Sequence, residues 1–413
     1  VKTAPPPAAK ELQMEAFVAR HPIFDEANKV YGYDLEFRSG FAAFYDGAAD
    51  EKEEVDLQLQ ASFEEFAGPG KAHVLMPGEL LRREVPARLP AETLIVGLPA
   101  DLPDEPGLIE ACRKLRQTGY ELSLDDVAPA CCEGPLLELA GIARLDTRTT
   151  APAERQELCG KLIPRGMRIL AKNVDTPEVL AEAKEAGCRY FQGEYFRKPV
   201  IRPGKEVTTT ELNYLRVLSE VNKPELAYDD LDALIKQDVS IAYKLLRFIN
   251  SAWYGLKIEV KSIRHALVLL GPAEVRVWAS LLVLQDMGRA KPEELFRRCL
   301  ARARMAELMA PFAGLEAHTA ELFLTGMFSL VDALTDCPME KVLARLPLSR
   351  PINAALLSQT GPFGAIYQTV LSYELGDWDL LSASAAAVPI DENALPRLAR
   401  ESRKWAEEAL DIL

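Results

Sequence analysis

The sequence predicts an α/β domain followed by an all-helical one, a modified barrel of the TIM type ahead of an α-helical domain. Three observations carry this. Eight short runs rich in β-branched or aromatic residues alternate with amphipathic stretches between about residues 15 and 200, the pattern of strands feeding helices. Beyond about residue 208 the strand-like runs stop and helical periodicity takes over. The 413 residues suffice for two or three domains at roughly 100–200 residues each.

The eight candidate strands lie near 15–20, 30–38, 72–77, 93–99, 121–127, 142–148, 168–174 and 190–196. Between them, Glu53 to Phe66 and Glu105 to Thr118 place Leu or Phe at helical spacing, and Thr176-Pro177 reads as an N-cap followed by proline at the first helical position. The segment His21 to Lys29 is too short for the crossover of a dozen or more residues that parallel strands need. Strands one and two are therefore expected to pair as a hairpin, giving a barrel with one antiparallel strand. In barrels of this kind the chemistry sits on the loops at the strand C-terminal ends.

Lys198-Pro199 and Arg202-Pro203-Gly204 mark a boundary near 200–208. The expected organisation is a flexible tail over 1–14 containing Pro5-Pro6-Pro7, the barrel over 15–205 and the helical domain over 206–413. In the second half, Asp238 is an N-cap ahead of the stripe Ile241, Leu245 and Phe248, and the helix ends at Asn250-Ser251. Ser262 caps a helix carrying Ile263, Ala266, Leu267 and Leu270, stopped by Gly271-Pro272. Further helices are expected at 273–285, 292–312, 317–334, 338–346, 351–358, 362–375, 377–386 and 395–411.

Composition narrows the function classes. Apolar residues make up 48% and charged residues 27%, ordinary for a folded chain. The net charge is −14, from 26 Lys+Arg against 34 Asp+Glu up to residue 205 and 22 against 28 after it, so neither half has the basic field of a duplex-binding protein. The seven cysteines (112, 131, 132, 159, 188, 299, 337) form an odd set without Cys-x-x-Cys spacing and fit reduced thiols better than a disulfide framework or a thiolate zinc site. Apolar runs such as Leu281 to Leu284 fall far short of the roughly 18 residues of a membrane span, and no signal-peptide pattern opens the chain. No nucleic-acid partner, no membrane partner and a cytoplasmic location are expected.

Several stretches then fall into a recognisable order. They are Ala19-Arg20-His21-Pro22-Ile23-Phe24-Asp25, Gly32-Tyr33-Asp34-Leu35-Glu36-Phe37-Arg38, Gly119-Tyr120-Glu121-Leu122-Ser123-Leu124-Asp125-Asp126, Ala143-Arg144-Leu145-Asp146, Leu170-Ala171-Lys172-Asn173-Val174-Asp175-Thr176, and Tyr190-Phe191-Gln192-Gly193 with Lys198-Pro199. Together they resemble an EAL domain, the cyclic-di-GMP phosphodiesterase barrel, over roughly residues 15 to 200. Residues 210–285 resemble an HDOD domain, a helical relative of the HD phosphohydrolases, through Ile235-Lys236-Gln237-Asp238-Val239-Ser240, Lys244 to Ser251, and Ser262-Ile263-Arg264-His265-Ala266 to Leu270-Gly271. The pair resembles the EAL-HDOD signalling architecture.

The resemblance implies hydrolysis by two Mg²⁺ or Mn²⁺ ions held by oxygen ligands. Against that pattern the signature Glu is Asp34, one methylene shorter. The next two ligand positions are Leu75 and Gly97, which cannot coordinate a hard cation. The functional Lys is Arg144, and an acidic position is Lys172, whose ammonium would oppose a metal; Asp175 still matches. The loop after Asp125-Asp126 is Val127-Ala128-Pro129-Ala130-Cys131-Cys132 where active members carry Phe and a Gly/Thr/Ser-rich turn. Arg38, Asp125, Asp146 and Gln192 remain as ligand-binding candidates. Each has a plainer alternative: Asp125 and Asp126 as turn formers, Arg38 as an ion-pair partner of Asp34 or Glu36, Gln192 as a loop residue beside Gly193.

The helical half lacks the ligands of an HD metal site. The chain has only His21, His73, His265 and His318, no His-Asp pair, and Ser329-Leu330 where the doublet is expected; His265 reads as a helix residue with a local hydrogen bond. No phosphate-binding Gly-x-x-x-x-Gly-Lys-Ser/Thr loop or Gly-x-Ser-x-Gly elbow is present. The acidic run Asp46 to Asp56 reads as a solvated face, and the Met and aromatic residues from Met305 to Phe328 as core. The expectation is a non-catalytic signalling protein, with no bound metal or cofactor, acting through contact with an unidentified protein partner. Self-pairing of barrels implies a homodimer. The alternatives are a cyclic-di-GMP-binding effector without hydrolysis and an active phosphodiesterase using Mg²⁺ or Mn²⁺.

Overall fold

Alternation of apolar side chains carries the first strand further than its sequence span suggested. A computed structural model describes residues 16–42, 45, 63–68, 70–128, 134–197, 217, 220–221, 227–250, 260–287, 291–344, 346 and 348–410. The strand expected to end at residue 20 continues as β1 (Val18–Asp25), because Ile23 faces one apolar cluster and Phe24 the other, a period of two. It turns over Glu26 to Lys29, where the Asp25 carboxylate accepts from the backbone N–H of Ala27 (2.9 Å) and Lys29 (2.8 Å) and Asn28 takes the left-handed conformation. The chain returns antiparallel as β2 (Val30–Phe37), the expected hairpin, with Val18 opposite Phe37.

Six further strands follow: β3 (Lys71–Leu75), β4 (Leu94–Pro99), β5 (Glu121–Asp125), β6 (Ile142–Asp146), β7 (Arg168–Lys172) and β8 (Tyr190–Phe191). Each pairs with the one before it in parallel from β2 onward, and β8 closes on β1 antiparallel, so the sheet is a closed barrel. The last strand, expected over 190–196, is two residues long because Glu194–Arg197 winds into a 3₁₀ turn. Between strands lie α1 (Gly78–Arg82), α2 (Pro106–Gln117), α3 (Pro135–Leu139), α4 (Pro152–Leu162) and α5 (Pro177–Glu185). Thr176 caps α5 as expected, its side chain accepting from Val179 N–H at 3.3 Å.

Two apolar populations result. Outward residues such as Val74, Val96, Leu122, Leu145 and Ala171 pack beneath the helices. Inward, Ile23, Ile95, Ile142, Leu170 and Tyr190 form a plug with Tyr31, whose ring stacks on Tyr190 at 4.2 Å between centroids. Burying such side chains stabilises the fold by about 1.5–3 kcal/mol each and closes one end of the barrel.

The chain divides into two compact units, 1–196 and 197–413. The tail, the acidic run, residues 129–132, Lys198-Pro199 and the expected boundary near 200–208 lie outside the described residues.

The second unit is helical throughout its described residues: α6 (Tyr228–Lys236), α7 (Val239–Ile249), α8 (Ile263–Met287), α9 (Glu293–Met309), α10 (Thr319–Met327), α11 (Val331–Thr335), α12 (Met339–Leu343), α13 (Arg350–Ser358), α14 (Gly364–Leu375), α15 (Trp378–Ala387) and α16 (Leu395–Leu410). Asp238 caps α7, accepting from Ser240 N–H at 2.9 Å, and Ser262 accepts from His265 N–H at 3.2 Å. Gly271 takes a non-helical conformation with φ 74° that breaks α8 at the expected point. The single helix expected over 317–334 is divided into α10 and α11 by Phe328 to Leu330. α9 and α10 meet at Gly326, where an added Cβ would come within 2.3 Å of the Ala303 backbone. Beside that crossing, Arg302 of α9 makes a two-pronged ion pair with Glu374 of α14 (2.5 and 2.9 Å) and donates to Ser329 Oγ (3.1 Å).

Glu374→Ala should therefore leave a buried guanidinium uncompensated and cost the helical unit about 3–5 kcal/mol. All four tryptophans (253, 278, 378, 405) lie in this half, so urea unfolding followed by tryptophan fluorescence reads it directly. An unchanged transition would contradict the structural weight given to the pair.

Candidate active site at the barrel mouth

Register alone brings the polar positions together. In parallel strands paired residues point to the same side, and Asp34 lies opposite His73, Gly97 opposite Ser123, and Arg144 opposite Leu170. Asp34, His73, Gly97, Ser123 and Arg144 face inward beyond the apolar plug toward the strand C-terminal ends; Lys172 is the next inward residue after Leu170 of the plug, and Leu75, Asp125 and Asp146 lie one step further along their own strands. The strand pattern that fills the barrel's closed end with Ile and Tyr fills its open end with charge.

Arg144 is the centre of this layer. Its side chain is 2% exposed. Nη1 donates to Asp125 Oδ2 at 2.8 Å; Nη2 pairs with Asp34 Oδ2 and donates to Gln192 Oε1 at 3.0 Å. Gln192 Nε2 donates in turn to Asp34 Oδ2 at 3.3 Å. His73, also 2% exposed, bridges the same two carboxylates: Nδ1 lies 2.7 Å from Asp34 Oδ1 and Nε2 lies 3.2 Å from Asp125 Oδ1 and 2.8 Å from Ser123 Oγ. Ser123 Oγ also reaches Asp125 Oδ1 at 3.3 Å. Ionised carboxylates only accept, so His73 serves both of them when both ring nitrogens carry protons.

The titration behaviour follows from this geometry. Burial pushes the Asp34 carboxyl up, but the charges of Arg144 and His73 and their hydrogen bonds prevail and hold it well below the usual range. Asp125 is held down against the same burial cost by the same two partners. For His73, burial and the neighbouring guanidinium oppose protonation, yet Asp125 and Asp34 raise its pKa above the ordinary value. Two positive groups and two negative ones thus compensate one another, with Asp34 alone partly exposed and Arg144 Nη1 lying 2.7 and 2.9 Å from the His73 ring nitrogens, the close approach through which the guanidinium opposes protonation.

The rim carries a second set of pairs. Lys172 Nζ binds Asp126 Oδ1 at 2.8 Å. Asp126 takes the left-handed conformation (φ 55°), which suits the turn-forming role weighed for it, whereas Asp125 points into the cluster. Asp146 Oδ1 accepts from Arg148 N–H and Asn173 Nδ2, both at 2.9 Å. Asp175 pairs with Arg148 at 2.8 Å and accepts from Glu194 N–H at 3.2 Å, tying the loop after β7 to the turn after β8. Arg38 leaves β2 with its guanidinium 5.1 Å from the Phe17 ring centroid; Asp34, one of the partners weighed for it, is engaged by Arg144, His73 and Gln192.

Comparison with known proteins matches the chain to relatives. The HDOD domain model matches residues 209–336. Cyclic di-GMP phosphodiesterase CdgJ of Vibrio cholerae is 30% identical over 406 residues, covering 97% of this chain and 94% of that protein. The chain belongs to the EAL-HDOD family. The uncharacterized protein YuxH of Bacillus subtilis is 27% identical over 410 residues, covering 96% of this chain and all of that protein. Among solved structures, an EAL domain protein from Listeria monocytogenes aligns with a TM-score of 0.33 and 16% identity over 44% of this chain and 87% of that one.

Membership in the EAL-HDOD family together with a full-length relative named a phosphodiesterase overturns the expectation of a non-catalytic protein working only through protein contacts. That expectation weighed single positions, above all Leu75 and Gly97, as losses from a ligand pattern. The structure shows that Gly97 belongs to a different local solution. A Cβ there would lie 2.4 Å from His73 Nε2, so glycine makes room for the imidazole. Leu75 is 46% exposed at the mouth. His73 and Ser123 were missed as site residues; the available signal was their strand phase, since His73 is two residues before Leu75 on the same inward face.

The family implies divalent ions, and the donors here do not fit a pair of them. Arg144 already lies between Asp34 and Asp125, Leu75 and Gly97 offer no oxygen, and no group of three or more His, Cys, Asp or Glu able to hold a metal occurs among the described residues.

Two outcomes follow. Because His73 has a raised pKa in the folded barrel, its share of stability is complete below about 6.5, its unfolded value, and is lost as pH rises through the folded value. The stability difference between wild type and His73→Gln, read by hydrogen exchange of the β3 and β6 amides, should shrink as pH rises through that range; a flat difference would show that His73 is not protonated. Gly97→Ala should displace the imidazole and cost about 1–3 kcal/mol, an overpacking effect that the same amides report.

Proposed function

We propose that this chain is a cyclic di-GMP phosphodiesterase and that the barrel mouth is where the cyclic dinucleotide is opened. The observation carrying this is the relationship along 97% of the chain to a protein named for that activity. The site supports it independently. Charged side chains buried at the C-terminal end of barrel strands are costly to maintain and stand where barrels of this type do their chemistry.

The reaction adds water across one phosphodiester, breaking a P–O bond and leaving a linear dinucleotide with one new phosphate monoester and one new hydroxyl. Asp34 has 21% of its side chain exposed and is the most open of the two inner carboxylates. Its depressed pKa suits it to hold charge and orient a water rather than to take up a proton. Gln192 fixes Asp34 from the β8 side, and Lys172 and Arg148 place positive charge on the rim where a phosphate arrives. No described helix is long and apolar enough to cross a membrane.

The purified full-length chain, incubated with cyclic di-GMP in Mn²⁺, in Mg²⁺ and in EDTA, should yield linear dinucleotide in at least one condition by ion-exchange chromatography. Asp34→Asn should lower the rate at least tenfold while tryptophan fluorescence of the helical unit stays unchanged. Absence of linear product in all three buffers would overturn the assignment.

A further inference from the structure

We infer that in this chain Arg144 takes the place of a divalent cation, so that Asp34 and Asp125 are joined by a guanidinium and do not take up Mn²⁺ or Mg²⁺. This goes beyond the proposed hydrolysis and rests on the cluster's geometry alone.

A metal that joined Asp34 to Asp125 would have to occupy the space in which one Nη of Arg144 meets each of them, Nη1 to Asp125 at 2.8 Å and Nη2 to Asp34. The remaining oxygens are spoken for as well. Asp34 Oδ1 faces His73 Nδ1 at 2.7 Å, and Asp125 Oδ1 faces His73 Nε2 at 3.2 Å and Ser123 Oγ at 3.3 Å. Entry of an ion would expel a buried, permanently charged side chain from two carboxylates, and Arg cannot shed its proton to ease that step. The surrounding positions reinforce the exchange. Gly97 removes a side chain where His73 now sits, Leu75 presents hydrocarbon at the mouth, and Lys172 adds an ammonium on the rim paired with Asp126. Arg144, His73 and Gly97 thus form one unit: the histidine and arginine fill the volume and supply the charge, and the glycine leaves the space for them.

The consequence is that Arg144 and a divalent ion compete for the same oxygens. Removing the arginine should open the site to metal. Arg144→Met keeps much of the side-chain volume while leaving Asp34 and Asp125 with His73 alone to offset their charge; Arg144→Lys keeps a charge without the fork.

Titration of the full-length protein with MnCl₂, with free Mn²⁺ followed by electron paramagnetic resonance, tests this without a turnover measurement. Wild type should show no stoichiometric uptake at micromolar Mn²⁺ that Asp34→Asn abolishes. Arg144→Met should gain at least tenfold in Mn²⁺ affinity and show a thermal midpoint raised by Mn²⁺, whereas the wild-type midpoint should not respond. Stoichiometric uptake by wild type that is lost in Asp34→Asn or Asp125→Asn would overturn the inference, whether or not the methionine variant folds. Because uptake and cleavage are read separately, the two proposals fail separately. Uptake with linear product sinks only this one, and neither uptake nor product in any buffer sinks only the hydrolytic assignment.

Discussion

One guanidinium clasped by two carboxylates organises the barrel of this protein. Arg144 reaches from β6 to Asp34 on β2 and Asp125 on β5, and His73 on β3 and Gln192 just past β8 close the figure. Side chains from five places around the barrel thereby become one charge-compensated unit. Such a unit is expensive to desolvate and tolerates little displacement, since removing one partner strands a buried charge. The same property that makes it a poor source of net stability makes it a strict specifier of register: a slip of one residue in β2, β3 or β6 would turn a charge into the apolar layer under the helices.

The two halves of the chain solve a similar problem in similar ways. In the helical unit Arg302 is buried against Glu374 and touches Ser329, close to where α9 crosses α10 at Gly326. The resemblance to HD phosphohydrolases placed the expected metal-binding doublet at Ser329-Leu330, and there too a guanidinium lies beside the position. In each half an arginine holds an acidic partner in the interior; Gly97 leaves room for the imidazole of the barrel cluster, whereas Gly326 leaves room for the α9 backbone.

Family membership and site geometry bear on function from different directions. The full-length relationship carries the hydrolytic assignment, because it concerns the whole chain and not a handful of positions. The geometry says how the charge at the mouth is arranged, and it differs from what the ligand pattern alone suggested. Leu75, Gly97 and Arg144 are separate departures in the sequence; in three dimensions Gly97 and Arg144 are linked through His73, which contacts both.

The sequence by itself determined the two-part architecture, the antiparallel first strand and most helix limits. The reason is local: a nine-residue connection cannot make a parallel crossover, caps such as Thr176 and Asp238 act within three residues, and Gly271-Pro272 breaks a helix wherever it occurs. Only the tertiary structure decided what Arg144, His73 and Gly97 do. Their contacts join residues 19 to 110 positions apart in sequence, and whether a lost ligand leaves a gap or a refilled space depends on which side chain the barrel's register places opposite it.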